Sequence, residues 1–252
     1  MVTSLSIGTG GLGRFGNQLF TIAGTIGIAI KNGQQFAFPH WKNRDNAIFG
    51  GEVTDFEQEF VNPLPRIPDG RQWQEVPYFW GYKDVNLNAG DWNIHAHLQS
   101  PKFFEHCMDV VRHYFTLKNE PGQQNYCAIH YRAGDYIDDP NAYHPRQSTE
   151  YYLGAIKRMP EGTRYIVFSD DIQAAKQRLN GLDAIYRCGH YLEDFKLMKK
   201  CKHFIIANSS FSAMAALLAD HHEKIVVAPA KWFGPNVDIS PKDIYHQNWI
   251  VI

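Results

Sequence analysis

The chain is 252 residues long, with 44% hydrophobic and 20% charged residues and a formal net charge of -1, a composition that fits a folded globular protein and excludes a disordered or collagen-like chain. No run of lysines and arginines forms a basic stripe, so neither a nucleic-acid backbone nor an anionic membrane surface is an expected partner. No stretch is long and apolar enough for a transmembrane segment, and the first residues lack the basic start and apolar core of a signal peptide.

Residues 2–7 are rich in β-formers, residues 8–16 form a glycine loop, and residues 17–31 carry Leu19, Ile22, Ala23, Ile26 and Ala29 at helical spacing. That order predicts strand, loop and helix. Residues 35–38 read as a second short strand closed by Pro39, so the chain opens as a βαβ arrangement with a parallel sheet. Residues 42–70 mix prolines, polar residues and isolated aromatics and predict nothing firm. Residues 76–82 are aromatic and strand-like. After Ser100, residues 101–115 place Phe104, Met108, Val111 and Tyr114 on one face of a helix. The polar stretch 118–124 contains a Pro-Gly pair and reads as a linker between two domains, 1–120 and 121–252, with the last residues packing back on the first. Within the second domain, strands at 127–131, 165–168, 203–207 and 224–227 alternate with helices at 148–158, from 171, at 192–200 and from 211. This is a doubly wound α/β pattern.

Gly8-Thr9-Gly10-Gly11-Leu12-Gly13 fits GxGxxG, which raises a dinucleotide-binding oxidoreductase. In that fold an acid about 20 positions on, at the end of the second strand, holds the ribose hydroxyls; here the strand ends in Phe38-Pro39-His40, and NAD is disfavoured. A tight turn needing glycine dihedrals explains the glycines equally well, but not Arg14, Asn17 and Gln18, which read as ligand-facing groups in the same loop. Among the twelve histidines, neither His95 with His97 nor His221 with His222 comes with a clear third ligand, so no metal site is expected. Cys107, Cys127, Cys188 and Cys201 form no CxxC pair and no tight disulfide spacing, which suits reduced thiols in a cytoplasm. Loose association with a membrane, and the oligomeric state, stay open.

His130 and Arg132 lie two apart on a strand and therefore on one face, just before a glycine-containing turn. Ligands of open α/β sheets gather at the carboxyl ends of strands, and the planar fork of arginine matches a phosphate. An ion pair of Arg132 with Asp135, fixing the turn, is the structural alternative. Asn208-Ser209-Ser210-Phe211-Ser212 follows a buried-type strand at the start of an alanine-rich helix, where free N–H groups and the helix dipole favour an anion; serines also cap helices with no ligand present. Asp194 is either a helix-start charge or an acid that accepts two N–H bonds from guanine. Asp170-Asp171 more readily caps the next helix or contacts a nucleotide than binds a metal.

Five segments in order resemble the motifs of the bacterial α-1,2-fucosyltransferases of glycosyltransferase family 11. They are Gly13-Arg14-Phe15-Gly16-Asn17-Gln18-Leu19-Phe20, Leu98-Gln99-Ser100-Pro101-Lys102-Phe103-Phe104, His130-Tyr131-Arg132-Ala133-Gly134-Asp135-Tyr136, Phe168-Ser169-Asp170-Asp171 and residues 204–212. The first also resembles the loop of protein O-fucosyltransferases. The resemblance implies a GT-B fold of two Rossmann-like domains with the donor site in the C-terminal one. It implies GDP-fucose as donor substrate, a glycan acceptor, inversion at the anomeric carbon, and neither cofactor nor metal. It also implies Arg132 as β-phosphate ligand with His130 beside it, Ser209, Ser210, Phe211 and Ser212 around the diphosphate, Asp194 on guanine, and Asn17 on the sugar or acceptor side. Asp135, Asp138 and Asp139 have the right chemistry for the base. Other readings are transfer of a different GDP-sugar or to a protein acceptor, and a non-catalytic sugar-nucleotide or glycan-binding protein.

Overall fold

The computed structural model describes residues 1–9, 13–43, 54–136, 138–139 and 141–252; Gly10, Gly11 and Leu12 of the glycine loop lie outside them. The chain divides into two compact units, Met1–Asn119 and Glu120–Ile252.

The first unit begins with β1 (Val2–Thr3), a 3-10 turn at Leu5–Gly8 and helix α1 (Phe15–Lys31). The strand expected over 2–7 is this short because the Leu5 N–H turns to the Asn93 side-chain oxygen, 2.9 Å away, instead of a neighbouring strand. Helix α1 starts two residues earlier than its periodicity indicates and is buried along most of its length, from Leu19 to Ala29. β2 (Lys42–Asn43) pairs antiparallel with β3 (Thr54–Asp55). β4 (Gln74–Val76) and β5 (Trp92–Ile94) join β1 in a parallel sheet of order β1-β5-β4. Phe36 adds a single parallel bridge to Val2, all that forms of the expected strand at 35–38 besides a bridge from Phe38 to Arg66.

The aromatics after Val76 leave the sheet rather than extend it: the Phe79 and Tyr82 rings lie 6.2 and 4.9 Å from Phe103. The helix expected over 101–115 is broken. Ser100 accepts from the Lys102 N–H, two 3-10 turns follow at Pro101–Phe103 and Glu105–Cys107, and only Met108–Tyr114 (α2) is α-helical. Segment 98–104 presses onto α1 at two glycines. A Cβ on Gly24 would stand 2.6 Å from Leu98 Cβ, and one on Gly27 would stand 1.9 Å from the Phe103 carbonyl oxygen.

The second unit is a six-stranded, fully parallel sheet. Its elements are β6 (Gln124–Tyr131), α3 (Thr149–Ile156), β7 (Tyr165–Ser169), α4 (Ile172–Arg178) and β8 (Ile185–Arg187). They continue with α5 (Tyr191–Lys199), β9 (Cys201–Ile205), α6 (Ser210–Leu218), β10 (Val226–Ala228) and β11 (Ile250–Val251). The order is β11-β10-β9-β6-β7-β8. Numbered from β6, this is the Rossmann order, in which the chain winds one way to β8 and then returns to the other side of β6. The last residues complete this sheet: Ile250 and Val251 pair with Val227 and Ala228.

β6 reads as a near-continuous apolar run because both faces are covered. Cys127, Ile129 and Tyr131 pack in one cluster with Tyr151 and Tyr152 of α3 and Ala175 of α4. The opposite face carries His130, whose ring lies 5.6 Å from Phe211 of α6. The buried hydroxyls of α3 are bonded, Tyr152 to the His130 carbonyl and Tyr151 to those of Ile206 and Val227, so α3 is tied to three strands near their carboxyl ends.

Candidate active site

The switch in winding direction falls between β6 and β9, where Ile129 pairs with Ile205. Two of the motifs leave the sheet at that point. From β6, the chain runs through Arg132 into the turn at Gly134 and Asp135. Arg132 donates from Nη1 to Asp170 Oδ2 and from Nη2 to Asp135 Oδ1 at 2.6 Å, and its guanidinium lies 5.7 Å from the Tyr136 ring centre. The ion pair with Asp135 foreseen as an alternative is therefore present. Asp170, the residue after β7, also accepts the Ala133 N–H at 2.7 Å. Its neighbour Asp171 is the cap of α4, accepting from the Ala174 N–H at 2.9 Å.

From β9, the chain passes Asn208 into α6. Ser209 is the N-cap residue with extended dihedrals, yet its side chain makes no capping bond. The positive end of the helix dipole at this point favours an anion. Ser209, Ser210 and Phe211 are partly exposed. Ser212 and Asn208 are not: Ser212 is buried with its hydroxyl 2.9 Å from His130 Nδ1, and the Asn208 amide is turned inward, donating to the carbonyls of Pro145 and Trp232 at 3.0 and 2.9 Å. The Tyr136 hydroxyl donates to the Asn208 carbonyl at 2.9 Å. These side chains tie β6, the start of α6 and the neighbouring loops together. Burial, with the charge of Arg132 adding to it, lowers the His130 pKa to about 3, so the imidazole is neutral near pH 7 and joins β6 to α6.

Asp194 stands in the first turn of α5 and is buried; it accepts from Arg187 Nε at 3.1 Å and from the Gly189 N–H at 3.0 Å. Those bonds tie the end of β8 to the helix start. Phe195, next to it, packs its ring 5.2 Å from Phe211, which links this turn to the start of α6. Asp138 is bound by Arg178 and, at 3.4 Å, by Arg146, and Asp139 accepts the Asn141 N–H. Among the described residues no group of three or more His, Cys, Asp or Glu could hold a metal ion.

Arg14 and Asn17 belong to the first unit, at the N-terminus of α1. The Asn17 side chain accepts from Gln99 Nε2 at 2.7 Å, joining the first two motifs. Gln18, expected to face a ligand, is buried: its amide donates to the Gly13 carbonyl and accepts from Trp41 Nε1 at 2.6 Å. The partner of Arg132 that sequence reading assigned elsewhere is Asp170. Its signal is its position, one residue past β7 in the register that pairs Tyr131 with Ser169.

An arginine and a helix N-terminus at the switch point of a Rossmann-order sheet are the arrangement in which open α/β proteins take phosphate-bearing ligands. The chain belongs to glycosyl transferase family 11, whose model matches residues 78–252. It is 38% identical over 122 residues to the O-antigen biosynthesis glycosyltransferase WbnK of Escherichia coli, covering 44% of this chain and 40% of that one. It is 32% identical over 191 residues to an α-1,2-colitosyltransferase of Escherichia coli, covering 71% and 60%. The chain thus spans less than two thirds of the length of these relatives. Among solved structures it is similar to the fucosyltransferase NodZ from Bradyrhizobium, with a TM-score of 0.49, 15% identity, and coverage of 86% and 93%.

Proposed function

We propose that this glycosyltransferase moves L-fucose from GDP-fucose onto a galactoside hydroxyl, with inversion, without a metal ion, and in an α-1,2 linkage. The observation that carries the reading is that Arg132 and the N-terminus of α6 both follow the adjoining carboxyl ends of β6 and β9. Together they supply the positive potential that a departing diphosphate needs, the task a divalent cation performs in other transferases. In the proposed step the acceptor oxygen bonds to the anomeric carbon as the bond to the β-phosphate oxygen breaks and GDP leaves with the electron pair. The acceptor proton passes to a carboxylate, for which we choose Asp135, half exposed in the turn directly after Arg132.

Ser209 and Ser210 would add donors to the diphosphate, and Asp194 would read guanine with the lone pairs left beside its two present bonds. Arg14 and Asn17 take the acceptor and sugar side on the strength of the motif resemblance, making residues 1–119 the acceptor unit and 120–252 the donor unit of a GT-B enzyme. A cytoplasmic location belongs to the same proposal, supported by four free cysteines. Among the described residues no helix is long and apolar enough to cross a membrane.

A second reading, α-1,2 transfer of colitose, is favoured by the relative that shares 32% identity. The test is turnover with EDTA present, comparing GDP-fucose with the colitosyl donor against a panel of galactosides, following released GDP and product linkage. Acceptor-dependent GDP release with a new α-1,2 fucosyl bond is the expected result. Binding of the donor without turnover on any acceptor would favour a sugar-nucleotide-binding protein and sink the catalytic reading.

A further inference from the structure

Two carboxylates share the Arg132 guanidinium, and their surroundings differ. Asp170 is gripped by both of its oxygens, Oδ2 by Arg132 Nη1 and Oδ1 by the Ala133 N–H. Gly134 closes over it so tightly that a Cβ there would stand 2.5 Å from Oδ2. Asp135 holds the other edge of the guanidinium, at Nη2, from the exposed side of the turn; its side chain is 50% exposed, against 29% for Asp170.

One guanidinium already facing two carboxylates has no surplus charge for a diphosphate, and a third anionic group added to the same fork would be repelled by both. We propose that Asp170 is the permanent positioning partner of Arg132 and Asp135 an exchangeable one: the donor's diphosphate takes Nη2 in place of Asp135. Only hydrogen bonds change hands. Asp170 holds the guanidinium in place at the end of β6, so the freed Nη2 edge is presented in a fixed direction. Asp135, detached from its cation, becomes a stronger proton acceptor at the moment the donor is seated. Donor binding thereby arms the base, and the empty enzyme keeps it neutralised. The inference rests on the reading of Arg132 as a diphosphate ligand and adds an order of events to it.

The test is a crystal structure with GDP bound, together with GDP affinities of the wild type, Asp135→Asn and Asp170→Asn by calorimetry at fixed ionic strength. The expected structure has a phosphate oxygen within hydrogen-bond reach of Arg132 Nη2, Asp135 out of contact with it, and Asp170 still on Nη1. Removing an exposed competitor of this kind should tighten GDP binding by about two- to five-fold in Asp135→Asn, while Asp170→Asn weakens it. Opposite signs from two acids on one arginine are not what a purely structural role would give. If GDP binds away from Arg132, the underlying reading fails. If the diphosphate sits on Arg132 while Asp135 stays on Nη2, or if Asp135→Asn binds GDP no better than wild type, that reading stands and the exchange is overturned.

Discussion

Arg132 is where the proposed chemistry is concentrated, and its replacement separates function from fold. The side chain reaches Asp170 and Asp135 at the end of β6 and takes no part in the apolar core. Arg132→Ala should therefore leave the melting curve close to wild type and lower kcat by about 10²–10³-fold, the usual cost of losing a donor aimed at developing charge; steady-state kinetics beside a thermal melt checks both. His130 leads to a different expectation, about pH. Its pKa falls from an ordinary 6.5 to about 3 in the folded protein, so below pH 6.5 the unfolded chain takes up a proton that the folded chain refuses. Stability is therefore full above pH 6.5 and declines as pH falls toward 3, by about 1.4 kcal/mol per pH unit for this one group. His203, lowered by burial, acts in the same sense. Denaturant unfolding between pH 7 and 5 should show a shallower decline for His130→Asn than for wild type; equal slopes would mean that His130 is not the group refusing the proton.

At the scale of elements, Gly27 is the position where one methyl group matters most. Glycine costs a helix interior about 1 kcal/mol relative to alanine, so Gly27→Ala would stabilise an exposed helix. Here the added carbon meets the Phe103 carbonyl at 1.9 Å, a backbone atom that cannot rotate away. The variant should lose about 1–3 kcal/mol, read as a lower denaturant midpoint. The same contrast explains what could be read in advance. β6, β7 and β9 are five to eight residues long and covered on both faces, so their apolar runs stand out between helices whose caps, Ser148 and Asp171, are also written in the sequence. The strands of the first unit are two or three residues long, too short for alternation to register. There the aromatics of residues 78–82 mimic a strand while serving as packing for Phe103. β8 and β11, three and two residues at the sheet's edges, were hidden for the same reason. Of the candidate site, Arg132 and the α6 start were legible from residue type and position. The inward turn of Asn208, Ser212 and Gln18 was not, because a polar side chain beside a ligand and one bonded to a buried carbonyl have the same letter.

On the whole molecule the division into two units yields a spatial expectation. If GDP is held by Arg132, Ser209, Ser210 and Asp194, amides in residues 120–252 should gain hydrogen-exchange protection on GDP binding while the sheet of residues 1–119 is unaffected. At 100 times Kd the gain in global stability of the binding unit is about 2.7 kcal/mol. Protection confined to the first unit would remove the donor site from the second. The winding of the second sheet also bears on how the protein is made. β6, a central strand of the sheet, pairs on one side with β7, the next strand in the chain, but on the other with β9, which emerges only after β8 and α5. During synthesis on the ribosome, β6, β7 and β8 can assemble as a half-sheet whose apolar flank stays open until β9 arrives. That interval is a window for chaperone capture or edge-to-edge aggregation, and it closes when Ile205 settles beside Ile129.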